Sequence, residues 1–146
     1  MSTQKRTFIV GVSGGTAAGK TTVCREIVKK LHISSVFTLT MDHFYKPLTH
    51  EQHKNAIEYD FDHPNAFDWD LLNSVLDKLK RGKIAKLPQW DFTTHSRKTQ
   101  YEIVNGAHID VILCEGILMF HDQNVLNKFD VKIFVTEAED IRLYNS

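Results

Sequence analysis

Gly14-Gly15-Thr16-Ala17-Ala18-Gly19-Lys20-Thr21 matches the pattern G-x-x-x-x-G-K-[ST] at every fixed position. Phosphate oxygens need several N–H donors converging from one side. The glycines at 14, 15 and 19 let the backbone turn tightly and approach without a Cβ in the way. Before the motif, Thr7 to Val12 is an apolar, β-rich run. After it, Val23, Ile27 and Leu31 recur every fourth residue, the spacing of a helix beginning near Lys20. Such a helix adds its unpaired N–H groups and the positive end of its dipole. In that setting Lys20 is expected on the terminal phosphates of a nucleoside triphosphate and the Thr21 hydroxyl on Mg²⁺. A glycine-rich turn with an incidental lysine is the bland alternative, and the flanking strand and helix argue against it.

Further along, the pattern keeps alternating. Val36 to Met41 reads as a strand, and His43 to Phe67 as a long, polar, aromatic and irregular stretch. Asp68 can cap a helix running to about Lys80, with Leu71, Leu72, Val75, Leu76 and Leu79 on one side and Gly82 just past its end. Two strand-like pieces, Ile84 to Phe92 and Gln100 to Val104, look like an inserted hairpin. Val111 to Cys114 is continuously apolar, as a strand buried on both faces should be. A short helix near Asn124 to Lys128 leads to a strand at Val131 to Val135, and Thr136 with Glu139 forms a capping box that predicts a helix from there. Strands alternating with helices imply an α/β fold, a parallel sheet flanked by helices of the P-loop kinase type, in one domain covering residues 1–146.

Composition narrows the function. Eighteen basic residues balance eighteen acidic ones, so no bulk charge draws the chain to nucleic acid or to an anionic membrane. The apolar runs are too short for a signal-peptide core or a bilayer span, which predicts a cytoplasmic protein. Cys24 and Cys114 lie far apart among apolar neighbours and read as two reduced, buried thiols. His50, His53 and His63 lack the spacing of a metal site and read as loop residues.

Acids complete the site. Val111-Ile112-Leu113-Cys114 ends in Glu115, a carboxylate where a buried strand would bring it to a metal ion beside the phosphates. Asp42 follows the second strand and falls on the same rim.

Taken together, these residues resemble the uridine kinase (uridine–cytidine kinase) family. The resemblance runs through residues 11–21, Asp42-His43-Phe44-Tyr45-Lys46, residues 60–68 (DFDHPNAFD), Asp91-Phe92 with His95-Ser96-Arg97, and Glu115-Gly116-Ile117-Leu118. It implies transfer of the γ-phosphoryl group of ATP to the 5′-hydroxyl of uridine or cytidine, with Mg²⁺. ATP is then expected on Gly14, Gly15, Thr16, Ala17, Ala18, Gly19, Lys20, Thr21 and Thr22, and Mg²⁺ on Thr21 and Glu115. Asp42 would be the general base, with Lys20 beside it, and Asp62 the acceptor for the ribose hydroxyls. Tyr45, Phe61, Phe92, His95 and Ile117 would line the nucleoside pocket, the hairpin carrying His95 closing over it. Trp90 stands where the family usually has tyrosine; an indole still stacks on a base but lacks the phenol hydroxyl. The role of Arg97 stays open. So do plainer alternatives: Tyr45, Phe61 and Phe92 as core aromatics, His95 as a solvated hairpin residue, Asp62 as a turn initiator, Asp42 as an N-cap.

The resemblance also implies homo-oligomers, and an arginine-rich lid helix, further helix and a last strand beyond Asp140-Ile141-Arg142-Leu143, where this sequence stops at Ser146. Without the lid, slow or no turnover is expected, which would leave a non-catalytic nucleotide-binding form. Val131 to Val135 is expected to be an exposed edge. A related P-loop kinase for another small alcohol is the further alternative, and Asp62 with His95 argues against it.

Overall fold

The computed structural model describes residues 7–14, 17–31, 35–137 and 140–143. In chain order the elements are β1 (Phe8–Gly14), α1 (Ala17–Leu31), β2 (Val36–Thr40), α2 (His50–Lys54), α3 (Trp69–Lys80), β3 (Ile84–Leu87), β4 (Trp90–Asp91), β5 (Ser96–Arg97), β6 (Glu102–Asn105), β7 (Val111–Gly116), α4 (Gln123–Leu126), β8 (Val131–Glu137) and β9 (Asp140–Leu143). The main sheet has the order β2-β7-β1-β8-β9. Its first four strands run parallel, and β9 is antiparallel to β8.

Sequence explains why β7 lies inside. Val111 to Cys114 are all buried, because alternate side chains enter two different cores. Val111 and Leu113 join Val10, Val12, Val23, Cys24 and Val135 beneath α1. Ile112 and Cys114 face the larger core with Leu39, Met41, Phe44 and the α3 residues Leu72, Val75, Leu76 and Leu79. Asp68 caps α3, its Oδ1 accepting from the Leu71 N–H at 3.1 Å. Gly82 lies just beyond the helix with φ 74°, a left-handed conformation that glycine adopts without Cβ strain.

Two expectations fail at the end of the chain. Instead of a helix from Thr136, β8 continues to Glu137 and Asp140–Leu143 returns beside it as β9. The expected cap residue Glu139 lies outside the described residues. Nor is β8 an exposed edge, since β9 pairs along it from Ile133 to Glu137. A capping box decides only local bonds. A parallel strand with an unpaired outer side offers a whole row of N–H and C=O groups, and here that row takes the following segment. Three smaller differences appear elsewhere. The helix after the glycine turn starts at Ala17, ahead of Lys20; Met41 leaves the second strand for a 3₁₀ turn; and residues 43–67 carry α2 and a second 3₁₀ turn. In that stretch Phe44, Tyr45, Ala66 and Phe67 are core residues, and Tyr45 bridges Phe67.

The inserted hairpin is as expected. Its base pairs β3 with β6, and its outer end pairs β4 with β5. Ala85, Leu87, Trp90 and Val104 anchor it in the larger core.

Candidate functional site

Parallel register brings the site together. Thr40 of β2 and Val12 of β1 both flank Glu115 of β7. Asp42, Glu115 and Gly14 therefore leave neighbouring strands at the same end of the sheet, where an open α/β sheet binds its ligands.

Gly14 ends β1 against β8, and a Cβ at this position would come within 2.3 Å of the Val135 carbonyl oxygen, so only glycine fits. Gly15 and Thr16 lie outside the described residues, as do the side chains of Ala17 and Ala18. The first turn of α1 holds no acidic residue, leaving its positive end uncompensated. Lys20 is 3% exposed, and its Nζ donates to the Gly14 carbonyl at 3.0 Å. The lysine is thus folded back onto the end of β1. Thr21 and Thr22 follow on the exposed side of the helix.

Beside this turn a cleft of about 350 Å³ is lined by Thr21, Cys24, Arg25, Val28, Thr38, Thr40 and Glu115. Glu115 and Thr21 share it, a hydroxyl and a carboxylate of the kind a hard divalent cation takes. Cys24 also lines it. Burial pushes that thiol up to about 11, the Glu115 charge adds to the rise, and Lys20 opposes it. Burial likewise pushes Cys114 up, and both cysteines are free thiols, as expected.

Asp42 occupies the 3₁₀ turn Met41–His43, whose N-cap is Thr40, so Asp42 is no cap. Burial raises its carboxyl above the ordinary value, while the nearby Lys20 and His43 charges lower it and Asp62 raises it. Lys20, His43 and Asp62 are thus the charges that act on Asp42. Asp62 does not initiate the turn before His63; Asp60 does, its Oδ1 accepting from the Asp62 N–H at 3.0 Å. The Asp62 side chain stays exposed. Burial, then Asp42, Asp62 and Tyr59, push the Tyr45 phenol far up.

The aromatic residues divide. Tyr45 (8% exposed) and Trp90 (2%) are core residues. Tyr45 stacks on Phe67 at 4.7 Å and meets Trp90 at 5.2 Å. The Trp90 indole is thus enclosed by protein, where the sequence reading expected it to stack on a base. Phe61 is half-buried, and Phe92 is 56% exposed. His95 stacks on Phe61 at 5.5 Å and 24°, and holds φ 52° in the left-handed region, which costs a non-glycine residue energy. Ile117 is half-buried, and its carbonyl accepts from the Ser13 hydroxyl.

Sequence reasoning left the roles of three residues here unread. Ser13, buried, also accepts from the Met119 N–H at 3.1 Å and so pins the chain after Glu115 to the end of β1. His43 Nδ1 accepts from the Trp90 N–H, and Arg97 donates to the Tyr45 carbonyl. All three stand inside stretches the sequence had singled out, but a serine before glycines and a histidine after an aspartate reveal their partners only in three dimensions. His50 and His53 lie in α2 and not in a loop as read, His53 bonding the Thr94 carbonyl, whereas His63 is a loop residue as read, its Nδ1 accepting from the Asn65 N–H. No helix among the described residues is long and apolar enough to cross a membrane.

A parallel sheet flanked by helices, with a glycine turn between β1 and α1 and acids on the adjoining strand ends, is the architecture of the P-loop kinases. The fold matches the possible uridine kinase of Bacillus stearothermophilus with a TM-score of 0.69 at 21% identity, covering 92% of this chain and 72% of that one. It matches the phosphoribulokinase of Rhodobacter spheroides with a TM-score of 0.68 at 12% identity, covering 92% and 52%. Residues 9–145 match the model of the phosphoribulokinase / uridine kinase family, and the chain belongs to that family. Mouse uridine-cytidine kinase-like 1 is 48% identical over 95% of this chain and 25% of its own length. Dictyostelium discoideum uridine-cytidine kinase B is 46% identical over 97% and 58% respectively. The chain thus spans between a quarter and three fifths of the length of these two relatives.

Proposed function

We propose that residues 1–146 form one domain of a nucleoside kinase, which transfers the γ-phosphoryl group of ATP to the 5′-hydroxyl of uridine or cytidine and yields UMP or CMP. The observation that supports this reading is the strand register, which brings the end of β1 with its Lys20 contact, Glu115 of β7 and the turn carrying Asp42 to one end of the sheet, with Asp62 among the charges acting on Asp42. A cation for phosphate and a carboxylate base serve such a transfer, and an exposed carboxylate can accept from ribose hydroxyls. The relatives named as uridine–cytidine kinases support the choice of alcohol.

In this reading the turn at 14–22 holds the triphosphate, and Lys20 leaves the Gly14 carbonyl for the β- and γ-phosphates. Asp62 accepts from the ribose hydroxyls, and Phe61, Phe92 and His95 frame the pyrimidine beside Ile117. Asp42 accepts the proton of the 5′-hydroxyl as its oxygen bonds to the γ-phosphorus. The bond to the bridging oxygen breaks, and ADP departs. Thr21 and Glu115 would hold Mg²⁺, which when bound neutralises charge on the phosphates. Both cysteines are free thiols, as a reducing compartment keeps them, and we place the reaction in the cytoplasm.

Phosphorus NMR of the protein incubated with ATP, Mg²⁺ and uridine tests this. The expected result is ADP and UMP appearing in equal amounts. ADP without UMP, or phosphorylation of a non-nucleoside alcohol in preference to uridine, would overturn it.

A further inference from the structure

Two residues outside the proposed chemistry tie the hairpin to the turn that carries Asp42. We infer that His43 and Arg97 are positioning residues, which suspend the hairpin tip with Phe92 and His95 from the same turn that presents the base. The inference rests on the nucleoside-site reading above and adds to it the device that sets the distance between pyrimidine and base.

The geometry begins at one rung. Trp90 of β4 and Arg97 of β5 are directly opposite each other. A ribbon of two residues per strand does not hold itself in water. Each side of this rung is instead bonded to the segment after β2. On one side the Trp90 N–H donates to His43 Nδ1 at 2.9 Å. On the other, Arg97 Nη2 donates to the Tyr45 carbonyl at 2.7 Å and lies 3.7 Å from Asp68 Oδ2. The anchor points are one and three residues beyond Asp42. Movement of the tip away from the cradle therefore breaks a bond on each strand. Past the rung, Asp91 Oδ1 accepts from the Thr93 and Thr94 N–H groups, and His53 bonds the Thr94 carbonyl at 2.7 Å. The tip is therefore a preformed turn, held to the segment after β2 by its two anchors and to α2 by the His53 bond.

His43 adds a chemical condition. A ring nitrogen that accepts from an amide carries no proton, so the imidazole must be neutral with its hydrogen on Nε2. Burial favours this form, and Lys98 on the hairpin acts in the same direction, while Asp42 and Glu102 oppose both. The Phe92 ring meets the imidazole edge-on at 5.6 Å. Because the folded-state value lies below the ordinary 6.5, the anchor is fully present above that pH. It is lost as pH falls below 6.5 towards the lowered value.

The test uses His43→Ala, His43→Asn and Arg97→Ala. Asparagine Oδ1 can take the place of Nδ1 but does not titrate. Hydrogen-exchange protection of residues 90–97 reads the anchor itself, and KM for uridine against KM for ATP reads its use. His43→Ala and Arg97→Ala are each expected to lower protection at the tip and raise uridine KM by about tenfold, the effect of one lost hydrogen bond. KM for ATP should not move. His43→Asn should restore both and remove the loss of protection seen below pH 6.5 in the unsubstituted protein. Unchanged protection at Trp90 in His43→Ala, or an equal rise in both KM values, would overturn the inference. Lowered protection in a protein that does not phosphorylate uridine would leave the anchors standing and refute the nucleoside reading instead.

Discussion

Replacing Lys20 with methionine is expected to lower phosphoryl transfer to uridine by about 10²–10³-fold, the usual cost of removing one donor aimed at developing charge. The substitution keeps the stem packed and removes only the ammonium. The lysine is 3% exposed, with one bond to the Gly14 carbonyl. Calorimetry should show ATP–Mg²⁺ binding weakened, because the ammonium is the charge offered to the phosphates. Undiminished binding and turnover in Lys20→Met would remove this residue from the phosphate site.

Asp42→Asn carries the second large effect. General-base catalysis contributes about 10²–10⁴-fold, and asparagine cannot take the hydroxyl proton. The rate of uridine phosphorylation should fall by that factor, with ATP binding retained. Stability should move in the opposite direction. Burial raises the Asp42 carboxyl above its ordinary value, so the folded chain binds its proton more tightly than the unfolded chain does. The ionised carboxylate then weakens the fold progressively as pH rises through the interval between the two values, and the cost stays in full at pH 7. An amide carries no such cost. Asp42→Asn should melt no lower than the parent at pH 7, and thermal unfolding at pH 4 and pH 7 checks the sign. In the parent, turnover should decline as pH falls through the raised value. A variant that melts lower and keeps its rate would deny Asp42 the role of base.

Much of this was legible in the sequence, for identifiable reasons. The capped helix after Asp68 and the doubly buried strand at Val111–Cys114 have strong local patterns, period 3.6 in one and an unbroken apolar run in the other. The fold class followed from their alternation. The end of the chain was misread because Thr136 and Glu139 make a local pattern, whereas β9 forms through backbone bonds to β8 that no side-chain pattern announces. Residues 43–67 gave no periodicity because their order comes from irregular aromatic packing, Tyr45 on Phe67 and Phe61 on His95. In the site, Lys20, Asp42 and Glu115 were legible because strand ends and a glycine turn fix where they lie. Trp90 was not, since an indole looks alike in sequence whether it faces a ligand or a core. His43 and Arg97 stand in recognisable motifs, but they act on backbone groups 47 and 52 residues away, which no local pattern announces.

The central claim is that the triphosphate and the nucleoside meet between Lys20 and Asp42. Amide chemical-shift mapping with uridine and a non-hydrolysable ATP analogue tests it most directly. The account predicts that the analogue shifts residues 17–22 and 115–117, and that uridine, added second, shifts 42–45, 61–62 and 92–97. Uridine shifts confined to the far end of the sheet, or absent with the analogue bound, would contradict it.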